Sequence, residues 1–224
     1  LYCREKGRRM GVEGEFIGSP RLDDLQCAYG TLMGFLASEK GKEDRAVAGE
    51  YGAVYALFDN EEIGSGTKQG ADSTFLSDII DCICDACGRN GMQKRDILSE
   101  SFLLSADNAH GVHPNHPEKS DPTNRPYLNG GIVLKFQGSQ KYTTDAYSAA
   151  VIRDICREQD IPCQNFANRA DVPGGSTLGN ISSAHVSIPA ADIGLAQLAM
   201  HSAFETAGEK DTEYLVRLCQ GFFR

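Results

Sequence analysis

Hydrophobic positions along the chain follow two alternating rhythms. Short runs rich in branched and aromatic residues, at 53–58 (AVYALF), 101–105 (SFLLS), 132–136 (IVLKF) and 185–188 (HVSI), read as buried strands. Between them lie longer stretches with helical spacing, at 25–38, 73–87, 144–159, 197–207 and 212–223. In the second of these, Phe75, Leu76, Ile79, Ile80, Ile83 and Cys87 return every three or four residues, as one face of a helix requires. Thr144 and Asp145 offer an N-cap for one helix, Asp211 and Thr212 for another. Strand and helix alternating in this way predict an α/β fold: a mixed, largely parallel sheet with helices on both faces, a three-layer sandwich. In such sheets ligands bind in loops at the carboxyl ends of the strands. One long polar connection, 108–131, carries His110, His113 and His116, and a loop of that length in a compact domain is expected to be functional or mobile.

Composition narrows the partner classes. Of 224 residues, 22 are Lys or Arg and 31 are Asp or Glu, a net charge of −9. That balance supplies no cationic face for a nucleic-acid backbone. No apolar run reaches the length of a membrane span, and the opening LYCREKGRRM is too charged for a signal peptide. Neither nucleic acid nor membrane is expected as a partner. The eight cysteines are scattered through a chain large enough to hold a core without cross-links, which fits a reducing, cytoplasmic setting. The cluster CICDAC (82–87) lacks the spacing and the second ligand pair of a zinc knuckle, and reads as thiols on an amphipathic helix.

The candidate chemistry lies at the ends of the expected strands. Asp59, Asn60, Glu61 and Glu62 follow the first, and Asp107 follows the second. His201 lies in QLAMHS (197–202), and Asp23 and Asp24 stand just before the first helix. Carboxylates gathered in one crevice repel unless a cation is shared, and carboxylates with a histidine suit zinc or manganese. The adjacent pair Glu61–Glu62 can divide two duties, one side chain on a metal and the other taking a proton from water. Plainer roles exist for each residue alone: helix capping for Asp23 and Asp24, an Asx turn for Asp107, a core position for His201, and a snorkelling stem for Lys135.

Four motifs, PRLDDL (20–25), FDNEEIGS (58–65), SADNAHGVHPN (105–115) and QLAMHS (197–202), resemble the aspartyl aminopeptidase and vacuolar aminopeptidase I family of zinc metallopeptidases. With RADVPGGSTLG (169–179) and QGFF (220–223), the resemblance runs from about Arg21 to Phe223. It implies two zinc ions, with Asp23 bridging them, Glu62 and Asp107 as terminal ligands and His201 as a histidine ligand. It implies Glu61 as the general base, with His110 and His113 lining the cleft that takes the peptide. Lys135 would face an acidic substrate side chain, and Gly174, Gly175 and Thr177 would shape the pocket. The implied reaction is removal of amino-terminal residues, Asp or Glu by preference, from peptide substrates. The implied assembly is a homo-oligomer, often a dodecamer.

Members of that family carry a further histidine ligand and an inserted dimerisation domain ahead of the PRLDDL motif. All five histidines here lie after residue 109. Residues 1–20 are therefore expected to be the return segment from such an insertion, and 21–224 the carboxyl-terminal part of the catalytic domain. Two other functions are weighed: a non-catalytic shell or cargo relative of the same fold, and a different co-catalytic zinc hydrolase such as a carboxypeptidase.

Overall fold

A computed structural model describes residues 2–40 and 52–223. Its elements in order are β1 (Arg8–Met10), β2 (Phe16–Ser19), α1 (Leu22–Lys40), α2 (Phe75–Ala86), α3 (Gly91–Ser99), β3 (Leu103–Ala106), β4 (Ala109–His110), β5 (Ile132–Phe136), α4 (Ala146–Glu158), β6 (Cys163–Ala167), α5 (Leu178–Ser182), β7 (Ala190–Gly194), β8 (Ala196–Leu198), β9 (Glu205–Gly208) and α6 (Asp211–Phe222). The chain is mixed α/β, with two mixed sheets ordered β1-β2-β9-β8-β4 and β3-β7-β5-β6. The sheets are joined, because β3–β4 and β7–β8 run side by side through both. The amides of Asp107, Ala109 and Gly111 donate in turn to the carbonyls of Ile193, Leu195 and Gln197. Asp107 thus lies at the junction of the two sheets.

Strand β5 shows why the core forms where it does. Its period-two alternation sends Ile132 and Leu134 to one face, among Cys27 of α1, Ile152 and Cys156 of α4, and Leu215, Leu218 and Cys219 of α6. Val133 packs on the other face with Ala109, Tyr142, Phe166 and Ala196. Helix α1 approaches α6 at its glycines. A Cβ added at Gly34 would stand 2.4 Å from the Cys219 Cβ and 2.7 Å from the Val216 carbonyl oxygen. At Gly30 the nearest atom would be the Leu215 Cδ2 at 2.8 Å, the movable end of a side chain. Gly34→Ala is therefore expected to cost about 1–3 kcal/mol in urea denaturation, and Gly30→Ala clearly less.

Several expected elements form as read: β3 within one residue or two, β5 at its stated bounds, and α1, α2, α4 and α6. Asp145 caps α4, accepting from Ser148 N at 2.7 Å. Others differ. Residues 53–58 form no strand; Val54 and Leu57 are exposed, and among the described residues no strand pairs with this run. An apolar run is a strand only where a partner completes its hydrogen bonds. His185 and Val186 are turn and bend, Ser187 and Ile188 are irregular, and the strand begins at Ala190. Its sequence AADIG is small because it is buried between β3 and β5, where a Cβ on Gly194 would meet the Asp107 carbonyl at 2.1 Å. The helix expected at 197–207 is instead β8, a turn and β9. Helix-favouring Ala, Leu and Met are overridden there by pairing with β2 and β4 and by left-handed Ala199 and His201. Helix α3 was not expected, although Asn90 and Gln93 form a full capping box.

Asp211 does not cap α6, whose N-cap is Lys210. Its buried carboxylate instead accepts from Asn129 N at 2.7 Å and Gly131 N at 2.9 Å, tying α6 to the turn before β5. An amide in its place would put a donor against one of those N–H groups. Asp211→Asn should lower stability by about 1–3 kcal/mol, read by thermal or urea unfolding.

Candidate metal centre

Four segments meet at one end of the five-stranded sheet, and each is bent out of regular structure to do so. Between β2 and α1, Arg21 is left-handed, and Asp23 and Asp24 are non-helical and joined by a cis peptide bond. Glu61 and Glu62 begin a single 3-10 turn (Glu61–Ile63) between left-handed Asn60 and Gly64. That loop is stitched by Asn60 Nδ2 donating to Thr67 Oγ1 and Ser65 N donating to the Asn60 carbonyl. Asp107 and Asn108 occupy the junction between β3 and β4. His201 sits in the β8–β9 turn.

The side chains converge. His201 Nε2 lies 3.1 Å from Asp23 Oδ2 and 3.0 Å from Glu62 Oε2. One donor atom from each of Asp23, Glu62 and His201 falls within 4.8 Å of the others, and the same holds for Asp23, Asp24 and Asp107. Asp23 belongs to both sets. An open cleft of about 440 Å³ lies over the first set, lined by Arg21, Asp23, Glu62, His201, Ser202 and Glu205.

A divalent cation fits these residues. The donor set is oxygen and imidazole nitrogen, and tetrahedral zinc with such ligands separates them by about 3.4 Å, close to the spacing observed. Asp23 Oδ1 is buried and has no hydrogen-bond partner. Without a cation the cluster is unfavourable for its charged form. Burial first, then Asp107 and Glu62, push Asp23 up to about 9. Burial, then Asp107 and Glu62, push Glu61 up to about 7. Asp24 is also held well above the usual carboxylate range by burial and Asp107.

The scaffold beneath is a polar network that the strand-end reading missed. Asn108 N donates to Asp24 Oδ1 at 3.2 Å, while Asn108 Nδ2 donates to the Leu22 carbonyl at 3.0 Å and to Gln197 Oε1 at 2.5 Å. The Cys27 thiol, buried and held well above its ordinary pKa by that burial and by Asp24, donates to Asn108 Oδ1 at 3.0 Å. Asp24 counts among the expected strand-end carboxylates, and the structure adds its bond from Asn108 N and its place beside Asp23 and Asp107.

The remaining expected site residues divide. Lys135 is 2% exposed, and its Nζ lies 3.0 Å from Asp107 Oδ2 and over the Tyr142 ring. Burial alone would lower its pKa, but Asp107, then Tyr142 and Asp192, outweigh it and hold the ammonium above its ordinary value. Around His110, on β4, the surrounding protein lowers the pKa first, Lys135 and His201 lower it further, and Asp107 opposes them. His113 is exposed; its Nδ1 accepts from Asn115 N and its ring lies against His116. Gly174 is crowded by Asn168 and Gln137, while Gly175 faces open space. Thr177 is buried, and its hydroxyl donates to Asp192 Oδ1 at 2.8 Å rather than facing the cleft. Asp192 also accepts from Thr143, so it anchors the 174–179 loop to β7.

Comparison with known proteins gives a consistent result. Residues 1–223 match the family described as aminopeptidase I zinc metalloprotease (M18). A probable M18 family aminopeptidase 2 from Clostridium novyi is 44% identical over 223 residues, covering 100% of this chain and 50% of that protein. Aspartyl aminopeptidase 1 from Schizosaccharomyces pombe is 39% identical, covering 98% of this chain and 46% of its own length. Among solved structures, a complex of Ape4 and Nbr1 superposes at a TM-score of 0.90 with 37% identity, covering 98% of this chain and 41% of that one. Yeast aminopeptidase 1 (Ape1) superposes at 0.85 with 29% identity, covering 100% and 49% respectively. The chain spans about half the length of the curated relatives it matches.

Proposed function

This chain belongs to the aminopeptidase I zinc metalloprotease family, M18, and from that premise we propose that it carries most of the active site of an aminopeptidase acting on acidic amino termini. The observation that carries the reading is the meeting of Asp23, Glu62 and His201 from three separate segments, with Glu61 next to Glu62. The relative named aspartyl aminopeptidase supports the acidic preference.

Two zinc ions are proposed because two donor sets overlap at Asp23: Glu62 and His201 serve one side, Asp107 the other. Zinc bound there supplies Lewis acidity and brings the ionisation of a water into the neutral range. Glu61 is proposed as the base that takes a proton from water and returns it to the leaving amine. His110, beside Lys135 and Asp107, is offered as the donor that steadies the developing oxyanion, with His113 further along the same loop. Gly175 leaves room at the pocket wall, and Gly174 and Thr177 fix the loop that forms it. Lys135 is assigned to the substrate's side-chain carboxylate.

We further propose a homo-oligomer, since a related structure is described as the dodecamer of yeast mApe1. Residues 1–20 are read as the return from an inserted domain. No helix among the described residues is long and apolar enough to cross a membrane, and all eight cysteines are free, which supports a reducing, cytoplasmic setting.

The test is release of the first residue from Asp- and Glu-initiated peptides in zinc. It is run with this chain alone and with the half of the Clostridium novyi relative that it does not match. Acetylating the peptide's amino terminus should stop the reaction; continued cleavage would point to a carboxypeptidase. Lys135→Met should reduce the kcat/KM preference for Asp over Leu by about 10–100-fold, the worth of one charge-assisted hydrogen bond. An unchanged ratio would remove Lys135 from substrate recognition.

A further inference from the structure

Glu205 is neither ligand nor base in the scheme above, yet it lies 2% exposed on β9 against the cleft. Each of its carboxylate oxygens is occupied by one backbone amide. Oε2 accepts from Asp23 N at 3.0 Å, and Oε1 accepts from His201 N at 2.7 Å. Those amides belong to the two residues whose side chains meet Glu62. Topology explains the reach: β9 is hydrogen-bonded between β2, which leads into Asp23, and β8, which leads into His201. Neither exit holds itself in place. Asp23 has φ −85° and ψ 113° within the span of α1, and His201 has φ 66°, a conformation unfavourable for a residue with a Cβ.

We propose that Glu205 is a positioning residue for the metal centre. Its carboxylate ties the backbones of Asp23 and His201 to one strand and so sets the separation of their side-chain donors. The proposal rests on the zinc-site reading above. Glu205 belongs to neither donor set, and its two oxygens each hold a backbone amide. A glutamine can satisfy only one of the two amides, because its NH₂ meets the other as donor against donor.

The test uses zinc alone, titrated into the chain against a chromophoric chelator, with Co²⁺ absorption as a second readout. Glu205→Gln should weaken zinc binding by about 10–100-fold and shift the Co²⁺ bands, as loss of a supporting contact around a metal site does. Asp211→Asn, remote from the cleft, should lower the melting temperature and leave both readouts unmoved. A folded Glu205→Gln protein with unchanged zinc affinity and an unchanged Co²⁺ spectrum overturns the proposal alone. Failure of the unsubstituted chain to bind zinc overturns the zinc-site reading and this proposal with it. If the variant does not fold, hydrogen exchange in the unsubstituted, metal-free chain decides. Slow exchange at the Asp23 and His201 amides is expected, and exchange at free rates sinks the proposal.

Discussion

Glu61→Gln, assayed with zinc bound, should keep the metal and lose about 10²–10⁴-fold in kcat, the usual worth of a positioned general base. The expectation follows from the geometry of one short turn. Glu61 and Glu62 are consecutive in a 3-10 turn locked between left-handed Asn60 and Gly64, so their side chains leave the backbone in different directions. Glu62 reaches His201 at 3.0 Å, and Glu61 is not in either donor set. Zinc stoichiometry should therefore be unchanged while turnover collapses. Equal loss of zinc and activity would make Glu61 a ligand and dismantle the division of labour between the pair.

The second large effect concerns Asp23, the residue common to both donor sets. Asp23→Asn should lower zinc affinity by more than about 100-fold, beyond the effect of losing an outer contact. The same change should raise the melting temperature of the metal-free chain. Asp23 is 5% exposed at its side chain and stands among Glu62, Asp24 and Asp107, so without metal it is neutral only by taking up a proton, a cost that a neutral amide removes. A gain of about 1 kcal/mol corresponds to about 2–4 °C for a chain of this size. Calorimetry with and without zinc checks both signs at once. A variant less stable than the parent without metal would mean that the cluster is held by hydrogen bonding rather than strained by charge.

What the sequence revealed of this site depended on where each residue sits. Asp23, Glu62 and Asp107 flank apolar runs and stand out as candidates for that reason; His201 lies inside a run read as helix, and the ligand roles of all four rest on the family resemblance. Strand β5 was legible because its apolar run is flanked by sheet and helices and its first four residues are buried. Strand β7 was not, because Ala190, Ala191 and Gly194 are small so that neighbouring backbone can approach. Hydrophobic periodicity registers bulk, and this strand is central for lack of it. Residues 197–207 misled for the opposite reason: local helix preference was strong, and pairing across the sheet decided the outcome. Asn108 has no role in the strand-end reading because its partners, Asp24, the Leu22 carbonyl, Gln197 and Cys27, are brought to it only by the fold. Thr177, expected to help shape the pocket, bonds inward to Asp192 Oδ1, a partner that residue spacing does not show.

The junction of the two sheets imposes a rule of parity on the neighbouring chain. Asp107 and Asn108 are successive residues whose side chains serve opposite clients, the first the Lys135 ammonium and the carboxylate cluster, the second the Leu22 carbonyl and Gln197. Insertion or deletion of a single residue between Leu103 and His110 would exchange those clients, delivering an amide to the cation and an acid to the scaffold. Changes by two residues would preserve the phase. Length variation in this stretch should therefore be tolerated, if at all, only in even steps.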